Sequence, residues 1–168
     1  LTELLLTEPM DSLSIRMIAE KAGVNRSTFY AHYTCQRDLI DEMEEELLSH
    51  LPVFSSSSPD DIAKTFTAFM SYVKENKDIV KVLMTDGVDN SFGERLIKVI
   101  MDRYDEFTPF DDEDLARMSY VFCINGIVGI VRDWINSGCS CPVEKMASFS
   151  IEMAFRASGI GMVRRKRR

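Results

Sequence analysis

Residues 14–39 read SIRMIAEKAGVNRSTFYAHYTCQRDL, and hydrogen-bonding side chains crowd into the middle of this run: Arg26, Ser27, Thr28, Tyr30 and His32 follow one another at helical spacing. These groups donate and accept hydrogen bonds, but they do not assemble a nucleophile and a base. The only histidines are His32 and His50, and the chain has no phosphate-binding Gly-rich loop. No catalytic residues, metal ligands or cofactor are therefore expected. The chemistry on offer is recognition by an exposed polar helix, and an enzyme is the least expected class.

The elements that position these residues can be read from the caps. Ser14 suits the N-cap of a short helix ending at Ala22, with Leu13 and Ile18 as its hydrophobic staple. The arrangement repeats: Asn25 caps a second short helix, with Val24 and Phe29 as the staple. Ala19 allows the two helices to approach, and Gly23 can take the positive φ that a tight turn needs. Ile15, Ile18, Val24, Phe29 and Leu39 then form a miniature core beneath a helix-turn-helix. A longer helix over 37–50 is expected to bury Leu39, Ile40, Met43, Leu47 and Leu51 while Asp41, Glu44 and Glu45 stay in water. Pro52 and the Ser-rich run 55–59 end it. Helical periodicity continues over 60–75, 77–84, 91–107, 113–136 and 142–160, with no alternating strand pattern, so the fold class is all-α. Ile62, Phe66, Phe69, Met70 and Val73 share one face of the first of these helices.

A chain of 168 residues that is 45% hydrophobic can bury one substantial core or two smaller ones, which excludes a disordered chain. The net charge of −7 is unevenly spread: −6 over residues 1–50, −6 over 51–163 and +5 over 164–168. Within 12–37, Arg16, Lys21, Arg26 and Arg37 face a single acid, Glu20, and the acids gather at 38–46. The longest uncharged run, 118–131, contains Asn125 and is too short to span about 30 Å of hydrocarbon. No membrane partner is expected. The start of the chain lacks a basic segment followed by an apolar one, and four cysteines without a framework fit a reducing compartment, so a cytoplasmic location is expected.

The pattern I-A-x-x-A-G-V at 18–24 followed by T-F-Y-x-H-Y at 28–33 resembles the DNA-binding domain of the tetracycline-repressor (TetR) family, over roughly the first 50 residues. The resemblance implies a helix-turn-helix domain at 1–50 that includes the connecting helix, and a helical ligand-binding and dimerisation domain at 51–168. It implies a ligand-responsive transcriptional regulator, most simply a repressor, that binds a near-palindromic double-stranded DNA operator as a homodimer and answers to an unknown small-molecule effector. Matched residue by residue, Arg16, Arg26 and Ser27 are candidates for reading base edges. Thr28, Tyr30 and His32 match phosphate-holding positions, and Ser14 stands at a helix start where orphan N–H groups favour phosphate. A lysine that the family commonly places after the H-Y pair is replaced here by Thr34, Cys35 and Gln36, which predicts weaker electrostatic anchoring. The segment GIVGIVRDWINSGCSCPVEKMA at 126–147 is similar to the C-terminal domain of the dihydroxyacetone-kinase-regulator subgroup. In that subgroup the fold also serves interaction proteins or coactivators that act through a partner regulator, which is the competing reading.

The body of the chain carries two further expectations. Residues 120–135 are apolar almost all round, with Gly126 and Gly129 three apart, and the last helix adds Met146, Phe149, Ile151, Met153, Ala154 and Phe155. Together the helices 113–136 and 142–160 predict a four-helix dimer interface. Phe66, Phe69, Met70, Tyr104, Cys123, Asn125 and Arg132 are the candidates for lining an effector pocket. Cys139 and Cys141 fall short of a zinc set, and the basic run 164–168 is most simply a solvated tail.

Overall fold

A computed structural model of the chain describes residues 1–52, 58–84, 91–103 and 112–157. Residues 55–57 of the Ser-rich run, Tyr104, the ends of the expected helices at 104–107 and 158–160, and the basic run 164–168 lie outside the described residues. Every regular element among the described residues is helical, which gives the all-α class. The order is α1 (Thr2–Leu5), a 3₁₀ turn (Met10–Ser12), α2 (Ile15–Ala22), α3 (Arg26–His32), α4 (Gln36–Ser49), α5 (Pro59–Glu75), α6 (Lys77–Leu83), α7 (Ser91–Arg103), α8 (Glu113–Asn136) and α9 (Val143–Ala157).

The chain divides into two compact units, 1–50 with 76–94, and 51–75 with 95–168. In the first unit, the Ser14 hydroxyl caps α2 by accepting from the Met17 amide at 3.2 Å. Gly23 closes the helix at φ +69°, with its own N–H on the Glu20 carbonyl and that of Val24 on the Ala19 carbonyl. This is a Schellman stop, in which the left-handed residue turns two orphan carbonyls back onto the chain. Leu13, Ile18 and Phe29 are buried together, and Leu1, Leu4, Leu5, Ile15, Tyr33 and Leu39 pack against them. Val24, expected in this core, is instead exposed: it lines the open groove beside Ala19, with its amide donating to the Ala19 carbonyl. The 3₁₀ turn delivers Leu13 in its stead, and α1 covers the cluster from the N-terminal side.

α4 departs from the amphipathic reading at one residue. Glu44, expected in water, is 1% exposed, and Arg37 reaches it with Nη2 at 3.1 Å while holding Asp41 through Nε at 2.8 Å. Beyond the leucine face, α4 has a further neighbour in α6, which packs against both α1 and α4, and Arg37 supplies the charge that a buried carboxylate needs.

In the second unit α9 packs on α5 and α8. Phe66, Met70 and Val73 of α5 are buried, with Ile124, Val128, Val131 and Ile135 of α8 at helical spacing and Val143, Met146 and Ala147 of α9. The α8–α9 connection repeats the Schellman device: Gly138 lies at φ +74°, and the Cys139 amide donates to the Trp134 carbonyl at 2.8 Å. The Trp134 indole N–H then donates to the Cys141 carbonyl at 2.8 Å, pinning the far side of the loop. Met146, expected at an intersubunit face, turns inward instead and is buried within its own unit.

α8 is long and apolar enough to cross a membrane by length and composition, since its 24 residues continue past both ends of the uncharged run 118–131. Its composition has a local use. One side of the helix faces the core of its unit, while Leu115, Met118, Val121 and Phe122 stand exposed, as do Phe149 and Met153 of α9.

Candidate nucleic-acid interface

α3 is set by one side chain. The Asn25 carboxamide oxygen accepts from the Thr28 amide at 2.8 Å, from the Ser27 hydroxyl at 2.5 Å and from the Thr28 hydroxyl at 3.0 Å. The first of these is an ordinary N-cap; the other two give both hydroxyls an acceptor inside the chain. Phe29 anchors the helix in the core, edge-on to Tyr30 at 5.6 Å and tilted against Tyr33 at 5.5 Å. With Phe29 inward, Arg26, Ser27, Thr28, Tyr30 and His32 are all exposed, Tyr30 at 59%. The helix thus presents a guanidinium, a phenol and an imidazole to the outside on a rigid base.

Arg16 and Arg26 lie on the two sides of the turn. Both line an open groove of about 340 Å³ together with Ala19, Glu20, Val24 and Asn25. Arg16 is held by Glu20, one helical turn on, with Nε 2.6 Å from Oε1, and this carboxylate raises the guanidinium pKa. The Arg26 side chain makes no hydrogen bond or ion pair among the described residues. Ser14 also sits at the surface, with its hydroxyl already accepting at the start of α2. The structure therefore brings Arg16 and Arg26 to one groove, and places Tyr30 and His32 further along the same exposed helix.

The segment that follows is braced rather than free. Asp38 accepts from the amides of Thr34 at 2.6 Å and Cys35 at 3.3 Å, and from the Cys35 thiol at 3.4 Å. These donors, the Thr34 amide foremost, hold its carboxyl below the usual aspartate range. Gln36 donates to the Leu13 carbonyl at 2.9 Å, and the Tyr33 phenol donates to Glu42 at 2.6 Å, a hydrogen bond that raises the phenol's pKa. Where the family pattern has a cation, this chain has a structural clasp.

Two family models match the chain: one described as "Bacterial regulatory proteins, tetR family", over residues 2–43, and one described as "Transcriptional regulator C-terminal region", over residues 60–156. The chain belongs to the TetR family. Such a protein is a transcriptional regulator rather than an enzyme. No curated protein matches it. Among solved structures the regulator resembles NalD, the secondary repressor of the MexAB-OprM multidrug efflux pump in Pseudomonas aeruginosa, with a TM-score of 0.61 at 20% identity over 93% of this chain and 90% of that one. At that identity the likeness is one of fold.

The described residues expected to line an effector pocket differ in burial. Phe66 and Met70 are buried in α5, Phe69 is half-buried, and Cys123 is half-buried with its thiol donating to the Ala154 carbonyl at 3.6 Å. Burial pushes that thiol's pKa up. Asn125 and Arg132 are exposed, and Asn125 is satisfied by the Val121 carbonyl of its own helix at 2.8 Å. The carbonyl one turn back satisfies one Asn125 amide hydrogen within the helix. Sequence reasoning also passes over Glu20 as a companion of Arg16. The signal that points to it is the i,i+4 spacing of opposite charges.

Proposed function

We propose that this regulator is a repressor that binds a near-palindromic double-stranded DNA operator as a homodimer and releases it in response to a small-molecule effector. The observation that carries the reading is the shared groove of Arg16 and Arg26 beside the exposed Tyr30 and His32, on two helices whose turn is locked by Gly23 and Asn25. An arginine so placed can meet guanine bidentately, while hydroxyl, phenol and imidazole groups suit phosphate oxygens. The unpartnered apolar side of α8 and α9 supports a two-fold partner, because an isologous interface presents one patch twice. Two heads carried by such a dimer read two half-sites, hence the near-palindrome. The NalD-like fold supports repression, and residues 126–147 support kinship with the dihydroxyacetone-kinase-regulator subgroup. Phe66, Phe69 and Met70 of α5, with Cys123, are the side chains we assign to effector binding. A soluble, cytoplasmic protein without cofactor fits this role.

A second reading has support of its own. The Glu20 tie on Arg16 and the acids of α4 reduce the positive field that DNA would meet, which suits a protein acting through a partner regulator.

Two substitutions separate the readings. Arg26→Ala is expected to cost about 1–3 kcal/mol of operator binding and to relax preference at one position in each half-site. Tyr30→Phe is expected to weaken all sequences alike, since a phosphate contact positions without specifying. Both residues are exposed, so the fold stays intact. Absence of sequence-selective binding at low salt by the folded dimer, with neither substitution altering regulation in the cell, overturns direct DNA binding in favour of the partner reading.

A further inference from the structure

Glu20 is an odd residue to find on a surface that approaches DNA. It lies 63% exposed in the groove that also holds Arg16 and Arg26, where a carboxylate repels phosphate and lowers non-specific affinity. Its geometry gives that cost a return. Oε1 accepts from Arg16 Nε, the inner nitrogen of the guanidinium, at 2.6 Å. The two terminal nitrogens, Nη1 and Nη2, remain on the far edge of the same plane, as a two-pronged fork.

We propose that Glu20 is a specificity-determining positioning residue: it fixes the plane and direction of the Arg16 guanidinium so that Nη1 and Nη2 read the O6 and N7 edge of one guanine in each half-site. The proposal rests on the direct DNA-binding reading given above. A free arginine can slide onto the nearest phosphate from many rotamers, which adds affinity for any sequence. An arginine held at Nε has surrendered most of those rotamers before DNA arrives, so it binds well only where two acceptors match its fork. Arg26, which has no such brace among the described residues, lines the same groove and supplies the contrast. Glu20 therefore exchanges general attraction for discrimination.

Because a brace and a mere surface charge differ in sign, binding measurements can tell them apart. An operator is first selected by the wild-type protein from a random duplex library. Affinities for that operator, for each single-base variant and for random duplex are then compared among wild type, Glu20→Ala, Glu20→Gln, Arg16→Ala and the double variant. Arg16→Ala is expected to flatten the preference at one guanine by about five- to a hundredfold. Glu20→Ala is expected to lower preference at that same position by about two- to tenfold, the cost of re-freezing one rotamer-rich side chain, while its affinity for random duplex rises. Glu20→Gln, whose carbonyl still accepts from Nε, is expected to retain most of the preference while also gaining random-duplex affinity. In the Arg16→Ala background, Glu20→Ala is expected to leave the flattened position unchanged.

A wild-type protein that selects no sequence overturns the DNA-binding reading and this proposal with it. A selective wild type in which Arg16→Ala relaxes one position but Glu20→Ala leaves that position's preference intact overturns the proposal alone. So does a Glu20 effect of equal size in the Arg16→Ala background.

Discussion

Replacing Phe122 by alanine tests whether the bare side of α8 is a subunit interface. Phe122 keeps 69% of its surface exposed, with Met118 and Leu115 one and two turns before it. Fully burying a phenylalanine is worth about 1.5–3 kcal/mol, so covering the exposed part yields about 1–2 kcal/mol per subunit. A two-fold interface counts each residue twice, which makes the loss about 2–4 kcal/mol per dimer and weakens the dissociation constant by about thirty- to a thousandfold. Sedimentation velocity across a concentration series reads this directly: wild type remains dimeric where Phe122→Ala dissociates. Leu6→Ala, which trims an exposed apolar residue in the other unit, serves as the control and leaves the series unchanged. A wild type that is monomeric throughout, or a Phe122→Ala protein that dimerises as tightly as wild type, refutes the assignment of this face.

Arg37→Ala is expected to destabilise the protein by about 1–3 kcal/mol, less than the usual 3–5 for a broken buried pair because Arg37 itself is a third exposed; urea titration of the two proteins checks this. Gly23→Ala is expected to cost about 1–2 kcal/mol in the same assay, all of it backbone, since a Cβ there meets no atom within 4 Å. The carboxyl of Asp38 is lowered in the folded state, so its contribution to stability is full above the ordinary aspartate pKa of about 3.9 and is lost as pH falls through the lowered value. In Asp38→Asn that part of the acid dependence is expected to disappear, and an unchanged acid limb in the variant contradicts the assignment. Cys123, whose thiol burial disfavours as thiolate, is expected to react with an alkylating reagent more slowly than a small free thiol at the same pH, with mass spectrometry of the modified peptide as the readout.

Local chemistry makes the two short helices legible in the sequence. Ser14, Gly23 and Asn25 act within four residues of where they stand, so their consequences are written in their neighbours. Glu44 shows where such reading stops. Its position on the wet side of α4 follows from the leucine stripe, while α4 also packs on α6, more than thirty residues away in the chain and without a local signature. Val24 departs from its expected place too, since the core beneath the turn is closed by Leu13 and α1 instead. The residues proposed to face DNA are legible as a set through the family pattern. The three donors on Asn25 and the inward turn of Met146 depend on distances that residue types alone do not settle.

The crowding at Asn25 bears on what binding would release. An amide oxygen has two lone pairs, yet here it serves an amide and two hydroxyls, so at least one of the three hydrogen bonds is poorly aimed. A phosphate oxygen arriving at the start of α3 offers that hydroxyl a charged acceptor in place of a shared neutral one. What changes hands is then a proton already turned inward. Thr28, the phosphate-holding candidate of the two, would act as a swivelling donor, closed on the protein when alone and opened by the duplex, with the number of hydrogen bonds nearly conserved. Its contribution would show in the heat of association and in the exchange rate of the hydroxyl proton more than in the equilibrium constant.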